Sequence, residues 1–421
     1  MPSWGKWLLC SVAGIALAAS SVPAGAAGVD KQDFGQIERG RYLATAGDCA
    51  ACHTLPGSGH DMAGGRPIET PFGMLLAPNI TPDPQTGIGA WTDQEFVNAL
   101  TKGTGRHGTR LYPAMPYTYY TRMSRDDALA IRAYLNTIPA VRHPVESNQL
   151  PFPFDMRWTL AMWDKLYFTP GAFHPDPKQS AQWNRGAYLV EGPGHCGMCH
   201  TPKNFLGADE ASRRLQGYAL QGWFAPDITD DARRGLGGWS VSDIVAYLKT
   251  GHNTTSAATG PMSETLNLST SKMSDADLKA IAAYLKQPGG QERQTAAADP
   301  SDPPDQKTMK SGAQIYADEC SGCHAPDGKG AAGLFPSLNG SPVVQQTDPT
   351  TVLHVVLRGA LSVGTKPAPT APAMPQFGWI LNNDQVADVV TYIRNNWGNS
   401  APPVSASKVK KTRQMLVERS D

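Results

Sequence analysis

The chain has 421 residues, 40% of them hydrophobic, and its 37 Lys+Arg balance 37 Asp+Glu. That length accommodates two to four domains with real cores, and the balanced charge leaves no bulk field to draw nucleic acid or an anionic surface. With 42 Gly and 35 Pro the sequence is rich in turns but short of a disordered composition, so compact domains with long loops are expected.

At the N-terminus Lys6 precedes the apolar run Trp7–Ala19, which leads to small residues around Ala24 and Ala26. A basic, then apolar, then small-residue order predicts a secretory signal peptide over 1–27 and an exported mature chain. No later run reaches the roughly 20 apolar residues of a membrane-spanning helix. Cys10 falls inside this leader and is expected to leave with it.

All six other cysteines sit in one kind of string: "CAACH" at Cys49, Cys52 and His53, "CGMCH" at Cys196, Cys199 and His200, and "CSGCH" at Cys320, Cys323 and His324. Two thiols one helical turn apart add to the vinyl groups on one edge of a haem, and the next residue then lies beneath the ring as proximal ligand. Structural zinc needs four ligands, and no further C-x-x-C exists to complete a site. A thiol redox pair gives no reason for a histidine to follow each time. The strings therefore predict three covalently bound haem c groups.

The first repeat, expected over 28–149, carries "RGRYLATAGDCAACH", "PNITPD" and "GAWTDQEFVNALTKG". The second, over 150–288, repeats these as "RGAYLVEGPGHCGMCH", "PDITDD" and "GGWSVSDIVAYLKTG". A third, over 307–400, keeps "GAQIYADECSGCH" without the tryptophan. Each ends in a helix with a capping-box signal: Ser124 with Asp127, Ser274 with Asp277, Asn382 with Gln385. Leu278, Ile281, Ala282 and Leu285 form one apolar stripe and Val386, Val389, Val390 and Ile393 another, whereas Arg132 interrupts the first copy, which is expected to bury less. The fold class expected is all-α, three tandem helical domains each around one haem.

A thioether as sixth ligand stabilises Fe(II) and raises the potential. Met115 follows His53 by 62 residues, Met262 follows His200 by 62, and Met374 follows His324 by 50. Pro116 and Pro375 are expected to hold the preceding Met extended. Met262 is followed by Ser263 instead, and Met273 is its rival. His107, His252 and His354 also precede the candidate methionines, but alignment of Gly103 with Gly251 denies His107 and His252 a common position. They read as surface or satisfied core histidines.

Between the first two repeats, Leu150–Phe168 places Leu160, Trp163 and Tyr167 at helical spacing, either as a connector packed between its own domains or as a docking face. Gln287–Gln306 is rich in Pro, Ala and charge, so 289–306 is expected to be a linker. "GKGAAG" at Gly328–Gly333 matches a dinucleotide fingerprint, but no strand precedes it, and it reads as a loop beside the third haem. The segment 401–421 is a basic tail, free in solvent or lying on anionic lipid.

"YLATAGDCAACHT", "NITPDPQTGIGAWT", "LYPAMPY", "WNRGAYLV", "GHCGMCHTP", "MPQFGW" and "YIRNNWGN" together resemble the triple-haem cytochrome c subunits of membrane-bound periplasmic dehydrogenases that oxidise alcohols, gluconate, sorbitol, fructose, glucose or aldehydes. The resemblance implies cytochrome c-like domains with Cys49/Cys52, Cys196/Cys199 and Cys320/Cys323 as thioether anchors. His53, His200 and His324 would be proximal ligands, and Met115, Met262 and Met374 distal ones. It implies a catalytic partner subunit with flavin or a quinone-type cofactor, a small third subunit, ubiquinone as acceptor, and a peripheral place on the periplasmic face of the inner membrane. A free periplasmic carrier and a haem peroxidase with an open iron site are the competing expectations.

Overall fold

The structure is a computed structural model describing residues 1–2, 33–146, 148–287 and 303–417. Cys10, nearly all of the expected leader and most of the expected linker lie outside those residues. The described residues from Gly35 onward form one compact unit.

The first repeat comprises α1 (Phe34–Ala46), α2 (Cys49–His53), the hairpin β1 (Pro67–Thr70) and β2 (Gly73–Leu76), α3 (Asp93–Lys102), α4 (Tyr117–Tyr120) and α5 (Arg125–Leu135), after which α6 (Thr159–Tyr167) forms the connector. The second comprises α7 (Ala181–Glu191), α8 (Gly197–His200), β3 (Gln216–Leu220), β4 (Trp223–Asp227), α9 (Val241–Thr250), α10 (Pro261–Leu268) and α11 (Asp275–Leu285). The third comprises α12 (Gln306–Ile315), α13 (Ser321–His324), α14 (Thr350–Arg358), β5 (Ala360–Leu361), β6 (Ala373–Met374), α15 (Asn383–Arg394) and α16 (Ala406–Val417).

Each repeat closes where its first helix crosses a late one, and a glycine sits at the crossing. A Cβ on Gly40 would overlap the Ala130 carbonyl, one on Gly186 that of Ala280, and one on Gly312 that of Asp388. Backbones can approach this closely only where no side chain intervenes. Three buried clusters lie beside these crossings. One contains Leu43, Phe96, Leu100 and Ile131; another Leu189, Ile244, Leu278 and Ile281; the last Leu353, Val386, Val389 and Val390. The expected stripes of α11 and α15 are the core-facing residues.

As expected, α5 buries fewer apolar residues than α11 or α15, namely Ala128, Ala130, Ile131 and Leu135, with Arg132 inside the stripe. Arg132 is buried, its Nε donates to Asp93 Oδ1 at 2.7 Å, and its guanidinium lies 5.7 Å from the Phe96 ring centroid. A charge tolerates that burial because it is paired and stacked.

The all-α expectation needs correction. Among the described residues three two-stranded antiparallel hairpins, β1-β2, β3-β4 and β5-β6, interrupt an otherwise helical architecture. In β3-β4 the two-residue turn places Gln221 and Gly222 at φ 48° and 77°, the paired positive angles that a tight hairpin requires. The strands are too short for the alternation that reveals strands in sequence.

The tail expectation is also corrected. α16 packs on α14 and α15 and buries Val409, Thr412 and Leu416, so the segment completes the third core. In the connector, Leu160 is buried and the Trp163 indole N–H donates to Leu206 O at 2.9 Å, while Trp158, Met162 and Leu166 remain exposed on another face.

Candidate haem-attachment site

Each C-x-x-C-H string occupies a single helical turn, but the chain enters it differently. Asp48 and His195, directly ahead of the first two strings, adopt φ 50° and 36°. A left-handed residue there breaks α1 and α7 away from α2 and α8, and Asp tolerates that region better than most side chains. The third string is entered through a π-helical turn over Tyr316–Cys320, and the left-handed residue is Ala325, after His324. The chain reversal is kept while its place shifts.

All three histidines are oriented by one device. His53 Nδ1 bonds to Pro78 O at 2.7 Å, His200 Nδ1 to Pro226 O at 2.7 Å, and His324 Nδ1 to Pro336 O at 3.3 Å. A carbonyl can only accept, so each Nδ1 carries the proton and each Nε2 is left with its lone pair. Burial lowers the pKa of all three rings below the ordinary imidazole range, against the opposing pull of the carbonyl bond, and favours the neutral form a metal needs. Such outer hydrogen bonds fix tautomer and ring angle, and their loss typically costs about 10–100-fold in metal affinity. "PNITPD" and "PDITDD" contain the first two carbonyls; their repetition was legible, their role was not.

The six described cysteines are free, with no disulfide among them. Burial pushes the Cys49 and Cys196 thiols up to about 12, which works against the thiolates that a zinc site or thiol redox centre employs. Among the described residues no group of three or more His, Cys, Asp or Glu side chains forms a metal cluster of the ordinary kind. Paired free thiols and a histidine whose Nε2 is free of the proton, three times over, fit covalent haem c with one protein ligand from each string.

The candidate sixth ligands differ in setting. Met115 packs with Cys49 and Trp91 against the first core, in the bend before Pro116 rather than in extended chain. Met374 lies in β6, paired so that Ala360 faces it, and packs with Cys320 against the third core. Met262 is the second residue of α10, a helix whose Gly260 N-cap stands at φ 56°. Its rival Met273 is 3% exposed inside the second core, immediately before the cap Ser274. Met123, also 3% exposed, holds the same place before Ser124 in the first repeat. Met273 is thus the counterpart of a core methionine.

Of the other histidines, His107 is exposed in a turn at φ 57°, His252 is half-buried, and His354 is 3% exposed with its Nδ1 on Gly222 O at 3.0 Å. The "GKGAAG" loop adjoins the third string, where Gly330 N–H donates to His324 O at 2.9 Å.

α10 of the second repeat packs against α2, the first string. Arg66 donates to Ala51 O at 2.5 Å within "CAACH" and pairs with Glu264 on α10. Tyr120 donates to Gly47 O at 2.9 Å, the carbonyl that His195 Nε2 also approaches at 3.2 Å.

Residues 37–139 and 309–397 match the family described as Cytochrome c, and these stretches contain the first and third strings. The chain is 40% identical to the gluconate 2-dehydrogenase cytochrome c subunit of Pantoea cypripedii over 90% of this chain and 89% of that protein. It belongs to the cytochrome c subunits of dehydrogenases. Similarity to the cytochrome c subunit of alcohol dehydrogenase (quinone) from Gluconobacter oxydans (strain 621H) is 39% identity over 97% of this chain and 87% of that protein. Similarity to the fructose dehydrogenase cytochrome subunit of Gluconobacter japonicus is 36% over 90% and 82%. Membership in this cytochrome c family implies covalently attached haem c.

Proposed function

We propose that the chain is the electron-relay subunit of a dehydrogenase, holding three haem c groups and passing electrons from a flavin- or quinone-dependent catalytic subunit to ubiquinone. The observation that carries this reading is the thrice-repeated histidine held by a prolyl carbonyl beside two free thiols. Haem c supplies reversible one-electron storage. The chain supplies the rest: Cys49/Cys52, Cys196/Cys199 and Cys320/Cys323 anchor, His53, His200 and His324 present Nε2, and Met115, Met262 and Met374 offer the sixth ligand.

The residues 28–149, 150–288 and 307–400 then act as three cytochrome c-like units, the last completed by α16. A thioether for each iron leaves no position for peroxide, which favours relay over peroxidase chemistry. Among the described residues no helix is long and apolar enough to cross a membrane. Export behind the 1–27 leader and peripheral attachment at the periplasmic face of the inner membrane complete the reading. The exposed stripe Trp158, Met162 and Leu166 has the composition of an interfacial contact.

The test is affinity purification of the chain from its native membranes. A large cofactor-bearing chain and a small third one should co-elute, and the partner's substrate should reduce all three haems. A chain that elutes alone from native membranes and is reduced by no co-eluting activity contradicts the proposal in favour of a free carrier.

A further inference from the structure

β4 serves both sides of the second string. Pro226 on this strand accepts from His200 Nδ1 at 2.7 Å. Three residues earlier, Trp223 lies against Gly260, the N-cap of the helix that carries Met262. A Cβ on Gly260 would overlap the indole, and no side chain caps α10. The start of that helix is therefore shaped by the Trp223 ring.

The same indole stacks on His354 of α14, with ring centroids 3.7 Å apart and planes 20° apart. His354 is 3% exposed, and its Nδ1 meets the carbonyl of Gly222, next to Trp223, at 3.0 Å. Thr351, one turn earlier on α14, accepts from Phe224 N–H at 2.8 Å and donates to Phe224 O at 2.9 Å. Three consecutive residues, Gly222, Trp223 and Phe224, are thus gripped by a helix of the third repeat. The far end of α14 holds the Met374 segment, since Phe377 N–H donates to Val356 O at 2.9 Å and Ala360 faces Met374.

We propose that Trp223 and His354 are positioning residues for Met262, so that docking of the third repeat onto β4 sets the distal side of the second haem site. The inference rests on Met262 being the sixth ligand there. His354 is held at two places, its Nδ1 on the Gly222 carbonyl and its ring face on the indole. A clamp made by stacking and a backbone bond works by restricting the loop, because a thioether competes for iron only while its approach is ordered.

The experiment uses the full haem-loaded protein and its Met262→Leu, Trp223→Leu, His354→Ala and His354→Phe variants. The readouts are the long-wavelength sulfur-to-iron(III) absorption per bound haem and a three-step redox titration. Met262→Leu should remove about a third of that absorption, as one thioether of three. Trp223→Leu and His354→Ala should remove the same third and lower one potential, while His354→Phe, which keeps a stacking ring, should retain both. If Met262→Leu loses its third but Trp223→Leu and His354→Ala keep the full absorption and all three potentials, the inference fails and the ligand reading survives. If Met262→Leu keeps the full absorption, the ligand reading fails and takes the inference with it.

Discussion

Tyr42 of the first repeat donates its hydroxyl to Asp277 Oδ2 of the second at 2.6 Å, and Tyr188 of the second donates to Asp127 of the first. Each carboxylate is also held by an arginine of its own repeat, Arg185 on Asp277 at 2.8 Å and Arg39 on Asp127 at 2.5 Å. The exchange is reciprocal, as across an internal two-fold axis. It also explains why these two aspartates, which the sequence offers as capping-box acids, close no box: Ser124 and Ser274 do cap their helices, but both carboxylates turn to the neighbouring repeat.

Tyr42→Phe should therefore destabilise the pairing by about 1.5–3 kcal/mol, the scale of a hydrogen bond to a charged group, measured by thermal unfolding of the haem-loaded protein. Burial pushes Asp277 upward, but the bonds from Arg185 and Tyr42 outweigh it and hold the carboxyl below its ordinary range. A depressed acid contributes stability above its unfolded pKa of about 3.9 and loses it as pH falls through the folded value. Asp277→Asn should accordingly be less stable at neutral pH and show a flatter acid limb below about pH 4.

Asp48 behaves in the opposite sense. Burial, followed by the Glu264 charge, pushes its carboxyl up to about 7, and its Oδ1 has no hydrogen-bond partner. The folded state then binds the proton more tightly than the unfolded one, so stability falls as pH rises from about 4 to about 7. Asp48→Asn should gain roughly 2 kcal/mol at pH 8 and much less at pH 4, a difference chemical denaturation at the two pH values would reveal. Equal effects at both would exclude a titrating Asp48.

Two glycines test which positions the architecture requires. Gly186→Ala forces a methyl into the Ala280 carbonyl at the α7-α11 crossing and should cost more than about 3 kcal/mol or abolish folding. Gly322, inside "CSGCH", has nothing within 4 Å of a built Cβ. Gly322→Ala should be neutral to within about 0.5 kcal/mol. Soluble yield and thermal midpoint separate the two.

The chemistry was legible because thioether attachment fixes a spacing that survives as a string, and the stripes of α11 and α15 were legible because helical periodicity spans whole elements. The hairpins were not, since two to five residues per strand carry no period. The prolyl carbonyls lie 25, 26 and 12 residues from their histidines and act through backbone, which leaves no side-chain signature. Met273 was a credible rival only while its pairing with Met123 before a serine cap went unused. α16 read as a solvated tail because its four basic residues, Lys408, Lys410, Lys411 and Arg413, dominate a helix that buries only Val409, Thr412 and Leu416.

The relay stands or falls on covalent haem count, and intact-mass measurement of the denatured, exported protein reads it directly. Three haem adducts per chain are expected, falling to two when Cys196 and Cys199 are both replaced by alanine. Fewer than three adducts on the wild-type chain, produced with a competent haem-attachment system, would contradict the account.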